Sequence, residues 1–375
     1  MAGRIQWEPS RTLHEFRLLP GLTTDECTPD RVDLSTVLAS RGQEGSTIVL
    51  SLPVVAAAMQ AVSGDRMGIE LGRLGGAAFV FCSQTVTSQA EMVSRIARGL
   101  SGHSSEVVPG PCAAAINTHD HEERVPALVE AGVRVLAIDS SDGHSVFQQR
   151  ALAYVRERFP DLPVIAGNVI TADGFDFLVS AGAWGVKVGM GSGSICITQE
   201  QKGTGRGLAT AILDVVAARD RYMAATGRYV PVIADGGIGS AREIAVALAF
   251  GADAVMMGRY FAGLEESPSE LVVQAGRKMK RYWGEGSARA REWREARYKQ
   301  SVFEEGVEGL VPFAGRLEGR MLELCAMLRA TFSTCGAATL EQLRRTAVAE
   351  VVSALSIREG QVHGIEQSPG PGGCA

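Results

Sequence analysis

The stretch of this chain best suited to chemistry is Gly189-Met-Gly-Ser-Gly-Ser-Ile-Cys-Ile-Thr-Gln-Glu200. Glycines at 189, 191 and 193 alternate with small polar residues, so the backbone can turn tightly and present N–H and C=O groups to a ligand. Cys196 follows the last of these glycines, and Thr198 lies two residues beyond. A cysteine is most often an inert buried hydrophobe, but one in a polar glycine loop is placed as a nucleophile. Two further segments, Asp235-Gly236-Gly237 and Gly258-Arg259, suit a phosphate. Asp235 repels phosphate itself, yet a carboxylate beside such a site can accept hydrogen bonds from ribose hydroxyls. A mononucleotide is the simplest ligand with both parts. Taken alone, Asp-Gly-Gly reads better as an ordinary turn.

These loops must be held by regular elements, and from residue 48 the chain repeats one unit: a short apolar run, a turn, then a helix-period segment. Eight runs predict strands: Ile48–Ala56, Ala77–Phe81, Ala113–Ile116, Val133–Ile138, Pro163–Ala166, Gly185–Val188, Pro231–Ala234 and Ala254–Met257. Predicted helices include Ala90–Leu100, Val125–Ala131, Ser145–Phe159, Phe175–Ala181, Leu208–Ala225 and Ala241–Phe250. Runs apolar on both faces that alternate with helices predict parallel pairing. Eight units favour an α/β fold of the (β/α)8 TIM barrel type over an open doubly wound sheet. Chemistry in such barrels sits on loops after the carboxyl ends of strands. The segments above fall there, together with Asp139-Ser-Ser-Asp-Gly143 and Gly167-Asn168.

Composition narrows the classes further. A formal charge of −5 gives no general attraction to nucleic acid or an anionic membrane. No apolar run is long enough to span a bilayer, and the first residues lack a secretory h-region, so a cytoplasmic protein is expected. Seven scattered cysteines form no CxxC pair, which indicates neither a disulfide framework nor a zinc knuckle. Residues 1–47 are read as an amino-terminal strand and loop layer, and 48–367 as the catalytic barrel. Within it, 101–111 forms a short linker, and the polar stretch about 265–309 is either a mobile flap or a solvated helix. Arg316–Phe332 and Thr339–Val352 are amphipathic and close the domain as a carboxy-terminal helical segment, while 368–375 is composed for disorder.

Seven segments, in order over roughly residues 10–365, resemble the inosine-5′-monophosphate dehydrogenase family: Ala56-Ala-Ala-Met-Gln-Ala-Val62, Asp139-Ser-Ser141, Ala166-Gly-Asn-Val169, Gly189–Glu200, Ile233-Ala-Asp-Gly-Gly-Ile238, Met256-Met-Gly258 and Lys280-Arg-Tyr-Trp-Gly-Glu-Gly-Ser287. The resemblance implies oxidation of IMP to XMP with NAD, a step of guanine nucleotide biosynthesis. Cys196 would add to C2 of the hypoxanthine, hydride would pass to NAD, and water would release the thioimidate. Arg297 and Tyr298, on the flap, match the pair that activates this water, and Thr198 matches the threonine that helps hold it. Ser194, Gly237, Gly258 and Tyr282 match the phosphate-binding set, Asp235 the ribose ligand and Glu305, before Gly306, the group that bonds the purine. Met59, Gly236, Arg259, Gly284, Glu285 and Gly286 complete the substrate-binding set. Asp139, Ser140, Ser141, Asn168, Gly189 and Gly191 fall where the family meets the dinucleotide. Carbonyls of Gly191, Gly193 and Cys196 would coordinate K+, joined by Glu359, Gly360 and Gln361 of a neighbouring subunit in a homotetramer.

The chain departs from the family pattern in four places. Ala57 stands where a substrate-contacting serine is common, Gln60 where an aspartate is frequent, and Gln361 where the K+ segment usually has a second glycine. The fourth departure is the short 101–111, where most members insert a pair of cystathionine-β-synthase-type modules. Two other readings stay open at this point. One is a GMP reductase, which uses the same cysteine for an NADPH-dependent deamination of GMP. The other is a catalytically silent paralogue that binds nucleotides.

Overall fold

The expected strands close on themselves. In a computed structural model, which describes residues 5–42, 46–102, 107–291 and 303–365, eight parallel strands form a closed barrel. They are β1 (Val54–Ala56), β2 (Ala77–Val80), β3 (Ala113–Ile116), β4 (Val135–Ile138), β5 (Val164–Val169), β6 (Gly185–Val188), β7 (Val232–Asp235) and β8 (Ala254–Met257). Each pairs with its neighbours in sequence, and β8 returns to β1 with Met256 opposite Val55. That last pairing excludes the open doubly wound sheet.

Eight helices surround the barrel: α1 (Asp65–Arg73), α2 (Val86–Leu100), α3 (His121–Glu130), α4 (Val146–Arg158), α5 (Ala172–Ser180), α6 (Leu208–Thr226), α7 (Ala241–Ala249) and α8 (Leu317–Thr334). The last lies against α7 and touches α1, so the ring also closes. Residues alternate between two apolar clusters, as strands buried on both faces require. Val54, Ala56, Ala78 and Val80 face the helices. Val55, Ala77, Phe79, Ala113 and Ala115 fill the lumen. The many lumen alanines leave room for Leu38, Leu50 and Trp184, which plug it. Phe79 is fully buried there, and truncating it to alanine costs about 3–5 kcal/mol. Thr85, Ser145, Thr171 and Ser240 cap α2, α4, α5 and α7 by accepting first-turn N–H groups, which fixes where each loop on the carboxyl face ends.

Three sequence expectations are corrected. Ile48–Ala56 is not one strand. Thr47–Leu50 pairs antiparallel with Thr36–Ser40, and the barrel strand begins only after Pro53, which has no N–H to give a ladder. This hairpin caps the amino-terminal mouth: Thr36 Oγ1 donates to Asp253 O at 2.7 Å and Ser40 N to Trp184 O at 2.9 Å. The stretch 265–309 is not polar throughout. Leu271–Gln274, Arg277–Trp283 and Glu308–Pro312 form an antiparallel sheet that buries Lys280, Tyr282 and Trp283. Finally, Thr339–Val352 is helical only over Leu340–Thr346. The β-branched Val348–Val351 pairs with Phe16–Leu19 and joins the two ends of the chain.

Among the described residues, no helix is long and apolar enough to cross a membrane.

Candidate active site

A pocket opens at the carboxyl ends of the strands, walled by the loops after β1, β4, β6, β7 and β8, by the end of β5 and by the base of the antiparallel sheet. Its deepest chemistry is on the loop after β6. Gly189 starts that loop at φ +142°, and a Cβ there would lie 1.9 Å from Asp235 O, so only glycine lets the ends of β6 and β7 approach this closely. Cys196 is half-buried, and its N–H donates to Gly193 O at 3.1 Å. The loop is then zipped to a distant segment: Ile197 N donates to Glu305 O at 3.1 Å and Val307 N to Ile195 O at 3.0 Å. Cys196 and Gly306 thereby form a bridge pair, which brings Glu305 to the cysteine.

The side chains continue that link. Cys196 Sγ lies 3.1 Å from Thr198 Oγ1, and Thr198 Oγ1 donates to Glu305 Oε2 at 3.2 Å. Lys202 Nζ holds the other oxygen of Glu305 at 2.8 Å. Thr198 and Lys202 are the first and last residues of one short helix, so they share a face and both reach the same carboxylate. Sulfur, hydroxyl and carboxylate in series can pass a proton away from an atom attached to the sulfur.

The far end of the pocket suits a phosphoribosyl group. Tyr282 stands against Gly258 and Met59: a Cβ on Gly258 would lie 2.6 Å from the Tyr282 hydroxyl. Burial pushes the Tyr282 phenol well above its ordinary range, against the opposing pull of a hydrogen bond with Ser194, so it stays a donor. Arg259, on the same wall, supplies a positive charge. Gly237, at φ +71°, brings its backbone onto the loop of Ser192. Between phosphate wall and sulfur stands Asp235, whose Oδ2 accepts from Asn168 Nδ2 at 2.8 Å.

A residue that sequence reasoning passed over balances these charges. Lys187, on β6, is 1% exposed, and its Nζ lies 3.6 Å from Asp139 Oδ1 and 3.7 Å from Asp235 Oδ2. Within Gly-Val-Lys-Val it reads as part of an apolar strand, and its position among valines was the only signal available. Asn168 also donates to Gly189 O at 2.8 Å, while its carboxamide oxygen is buried without a partner among the described residues. An orphaned buried acceptor calls for a donor from a ligand.

The IMP dehydrogenase / GMP reductase domain family matches residues 10–363. The chain belongs to this family. It is 37% identical to the inosine-5′-monophosphate dehydrogenase of Tritrichomonas foetus over 488 aligned positions, covering 96% of each protein. That span exceeds the 375 residues here, so the trichomonad family member carries residues without a counterpart in this chain. The chain is 43% identical to the inosine-5′-monophosphate dehydrogenase of Escherichia coli K12 over 252 positions, 65% of this chain and 50% of the relative. With the same enzyme of Aquifex aeolicus it shares 40% over 260 positions, 68% of the chain and 52% of the relative. The match to these bacterial family members thus takes in about half their length.

Most residues expected from the family pattern meet in this one pocket. Met59, Ser194, Asp235, Gly236, Gly258 and Arg259 line its substrate end with Tyr282, Gly284, Glu285, Gly286 and Glu305. Asp139, Ser140, Ser141, Asn168, Gly189 and Gly191 line the adjoining part. Gly237 and Gly306 lie directly behind lining residues. Arg297 and Tyr298 lie outside the described residues. Glu359 ends the exposed helix Ala354–Glu359, and Gly360 and Gln361 follow it, away from the pocket wall. Of the expected K+ carbonyls, Gly191 O already accepts Gln199 Nε2 at 3.0 Å and Gly193 O accepts Cys196 N.

Proposed function

We propose that this chain oxidises IMP to XMP with NAD+, as a step in guanine nucleotide synthesis. The observation that carries the reading is the series Cys196, Thr198, Glu305, set at one end of a pocket whose other end combines Asp235 with Ser194 and Tyr282. A nucleophile next to a proton acceptor, at a fixed distance from a ribose and phosphate site, suits covalent chemistry on the base of a nucleotide.

In this reading the Cys196 thiolate adds to C2 of the hypoxanthine. NAD+, held along Asp139 and the orphaned oxygen of Asn168, supplies the acceptor for the hydride that leaves C2, and the purine stays on sulfur as a thioimidate. Water then attacks C2, the C–S bond breaks, and the thiolate returns. Thr198 can take the proton of that water while passing its own to Glu305 Oε2, and Lys202 keeps the carboxylate turned toward Thr198. Arg297 and Tyr298 are proposed, from the family resemblance, as a second group acting on the same water.

Two finer proposals accompany this one. K+ would sit on the carbonyls of Gly191, Gly193 and Cys196 and on Glu359, Gly360 and Gln361 of a neighbouring copy in a homotetramer. Its arrival would displace the Gln199 amide from Gly191 O. A tetramer in light scattering and loss of activity when Na+ replaces K+ are the expected results.

The deciding experiment supplies the purified protein with IMP and NAD+ and, separately, with GMP and NADPH. NADH formation from the first pair, with a xanthylate adduct on Cys196 in mass spectrometry, is the expected result. Turnover of only the second pair would replace this reading by a GMP reductase.

A further inference from the structure

We infer that Glu285 is a positioning residue for the purine base and not a ligand to it. Its carboxylate fixes the Gly284–Gly286 turn against the Cys196 loop. The inference rests on the pocket being the IMP site proposed above.

Glu285 is 8% exposed, and its carboxylate joins a buried network drawn from three separate parts of the chain. Oε1 accepts the backbone N–H of Gln60 at 2.7 Å, and Oε2 accepts the hydroxyl of Ser83. The Gln60 side chain completes the network, with Nε2 donating to Ser83 O at 2.9 Å and Oε1 accepting Trp283 Nε1 at 2.9 Å. Gln60 follows β1, Ser83 follows β2, and Trp283 ends the strand that leads into the turn. Gln60 and Ser83 are themselves buried.

Donors and acceptors match throughout. Ser83 O needs a donor and the Trp283 indole needs an acceptor, and the Gln60 carboxamide meets both. An aspartate at this position, which the family pattern often has, would set an acceptor against Ser83 O. The glutamine at 60 and the glutamate at 285 are therefore a matched pair in this chain. For Glu285 to face a bound base, it would have to abandon the buried Gln60 N–H.

The turn so held is stacked on the reacting centre. Gly284 N donates to Val307 O at 3.1 Å and Glu305 N to Gly286 O at 3.1 Å, while Val307 N reaches back to Ile195 O beside Cys196. The Cα atoms of Gly284 and Gly306 are so close that a Cβ on Gly284 would lie 3.2 Å from Gly306. Glycine at 284 and 286 gives the turn its close approach but no stiffness of its own. The carboxylate supplies that stiffness from behind, so the base meets a wall at one distance from the sulfur.

The test compares Glu285→Ala, Glu285→Gln and Ser83→Ala with wild type. Steady-state kinetics, calorimetric titration with IMP and hydrogen exchange of 282–287 are read for each. Glu285→Ala should raise KM and Kd for IMP about tenfold or more, leave KM for NAD+ within about twofold, and speed exchange in the turn. Glu285→Gln should recover most of the loss, because its amide oxygen still accepts the Gln60 N–H and its amide nitrogen can donate to Ser83 Oγ. Ser83→Ala should shift IMP binding in the same direction by less, and it remains informative if Glu285→Ala does not fold. Wild-type IMP affinity in both alanine variants would overturn the inference. So would Glu285→Gln as damaged as Glu285→Ala, which would make the carboxylate itself the ligand. If wild type neither binds nor oxidises IMP while the variants still loosen the turn, the function of the pocket is misread and the positioning role falls with it.

Discussion

The hydroxyl of Thr198 stands 3.1 Å from the sulfur of Cys196. The same oxygen donates to Glu305, so the threonine touches both the nucleophile and a carboxylate. A role in the second half-reaction follows, because the first half needs the sulfur and an open dinucleotide site but no base at this position. Thr198→Val should therefore keep the rapid formation of NADH in a stopped-flow trace and slow the steady state by about 10²-fold. Equal slowing of both phases would place Thr198 in hydride transfer instead.

Cys196 should also stand apart in reactivity from three of the other cysteines, Cys112, Cys325 and Cys335. Burial pushes the Cys112 thiol up to about 12 and raises those of Cys325 and Cys335. A raised pKa means less thiolate at pH 8, and alkylation proceeds through the thiolate. Cys196 lines the open pocket, so iodoacetamide at pH 8 should modify it before Cys112, Cys325 and Cys335, and IMP should protect it. Cys196→Ser should abolish turnover and leave calorimetric IMP binding largely intact, since the phosphate and ribose contacts do not involve sulfur. Labelling of Cys196 that IMP does not slow, or turnover in the variant, would remove Cys196 from the mechanism.

The parts of this site that local sequence reveals are the loops, and the parts it hides are the connections between loops. Glycine-rich turns after apolar runs announce the Cys196 and Asp235 segments, because a barrel places such turns on one face. Nothing near Cys196 announces Glu305 as its neighbour in the chain of hydrogen bonds. Their contact depends on a backbone bridge to Gly306, more than a hundred residues away. Gln60 and Glu285 meet across a still longer separation, and Gln60 alone registers only as a departure from a pattern. The strand Val348–Val351 was hidden in the same way, since its partner is at the other end of the chain. The start of the first barrel strand is hidden for a local reason: apolar residues run on either side of Pro53, and periodicity cannot say which of them pair with the barrel.

Lys187 illustrates what a hidden connection is worth. It is the positive charge between two carboxylates that the proposed reaction assigns to different ligands, Asp235 to the nucleotide and Asp139 to the dinucleotide. Lys187→Met preserves the packing of the side-chain stem and removes only the charge. With the two carboxylates left facing each other, the fold should lose about 1–3 kcal/mol, less than a fully enclosed pair would lose because both aspartates keep some contact with water. KM should rise for IMP and for NAD+ alike, which distinguishes this variant from those of the base wall. An effect confined to one of the two ligands would show that Lys187 serves only the aspartate assigned to that ligand.

Arg297 and Tyr298 carry the last prediction. Thr198 and Glu305 already offer the attacking water one route for its proton, so Arg297 would be a second route and not the sole one. Arginine gives up a proton only in a special environment, because its guanidinium is almost always charged. If Arg297 does act on water, Arg297→Ala should retain a burst of NADH close to one equivalent per active site and then turn over slowly. A residual rate should persist through Thr198. Combining Arg297→Ala with Thr198→Val should then abolish that residue, with a loss larger than either single variant shows, as two parallel routes require. In that case Tyr298→Phe should act more mildly than Arg297→Ala. A double variant no slower than Arg297→Ala would mean that Thr198 and Arg297 lie on one route, in which the threonine holds the water and the arginine alone takes its proton.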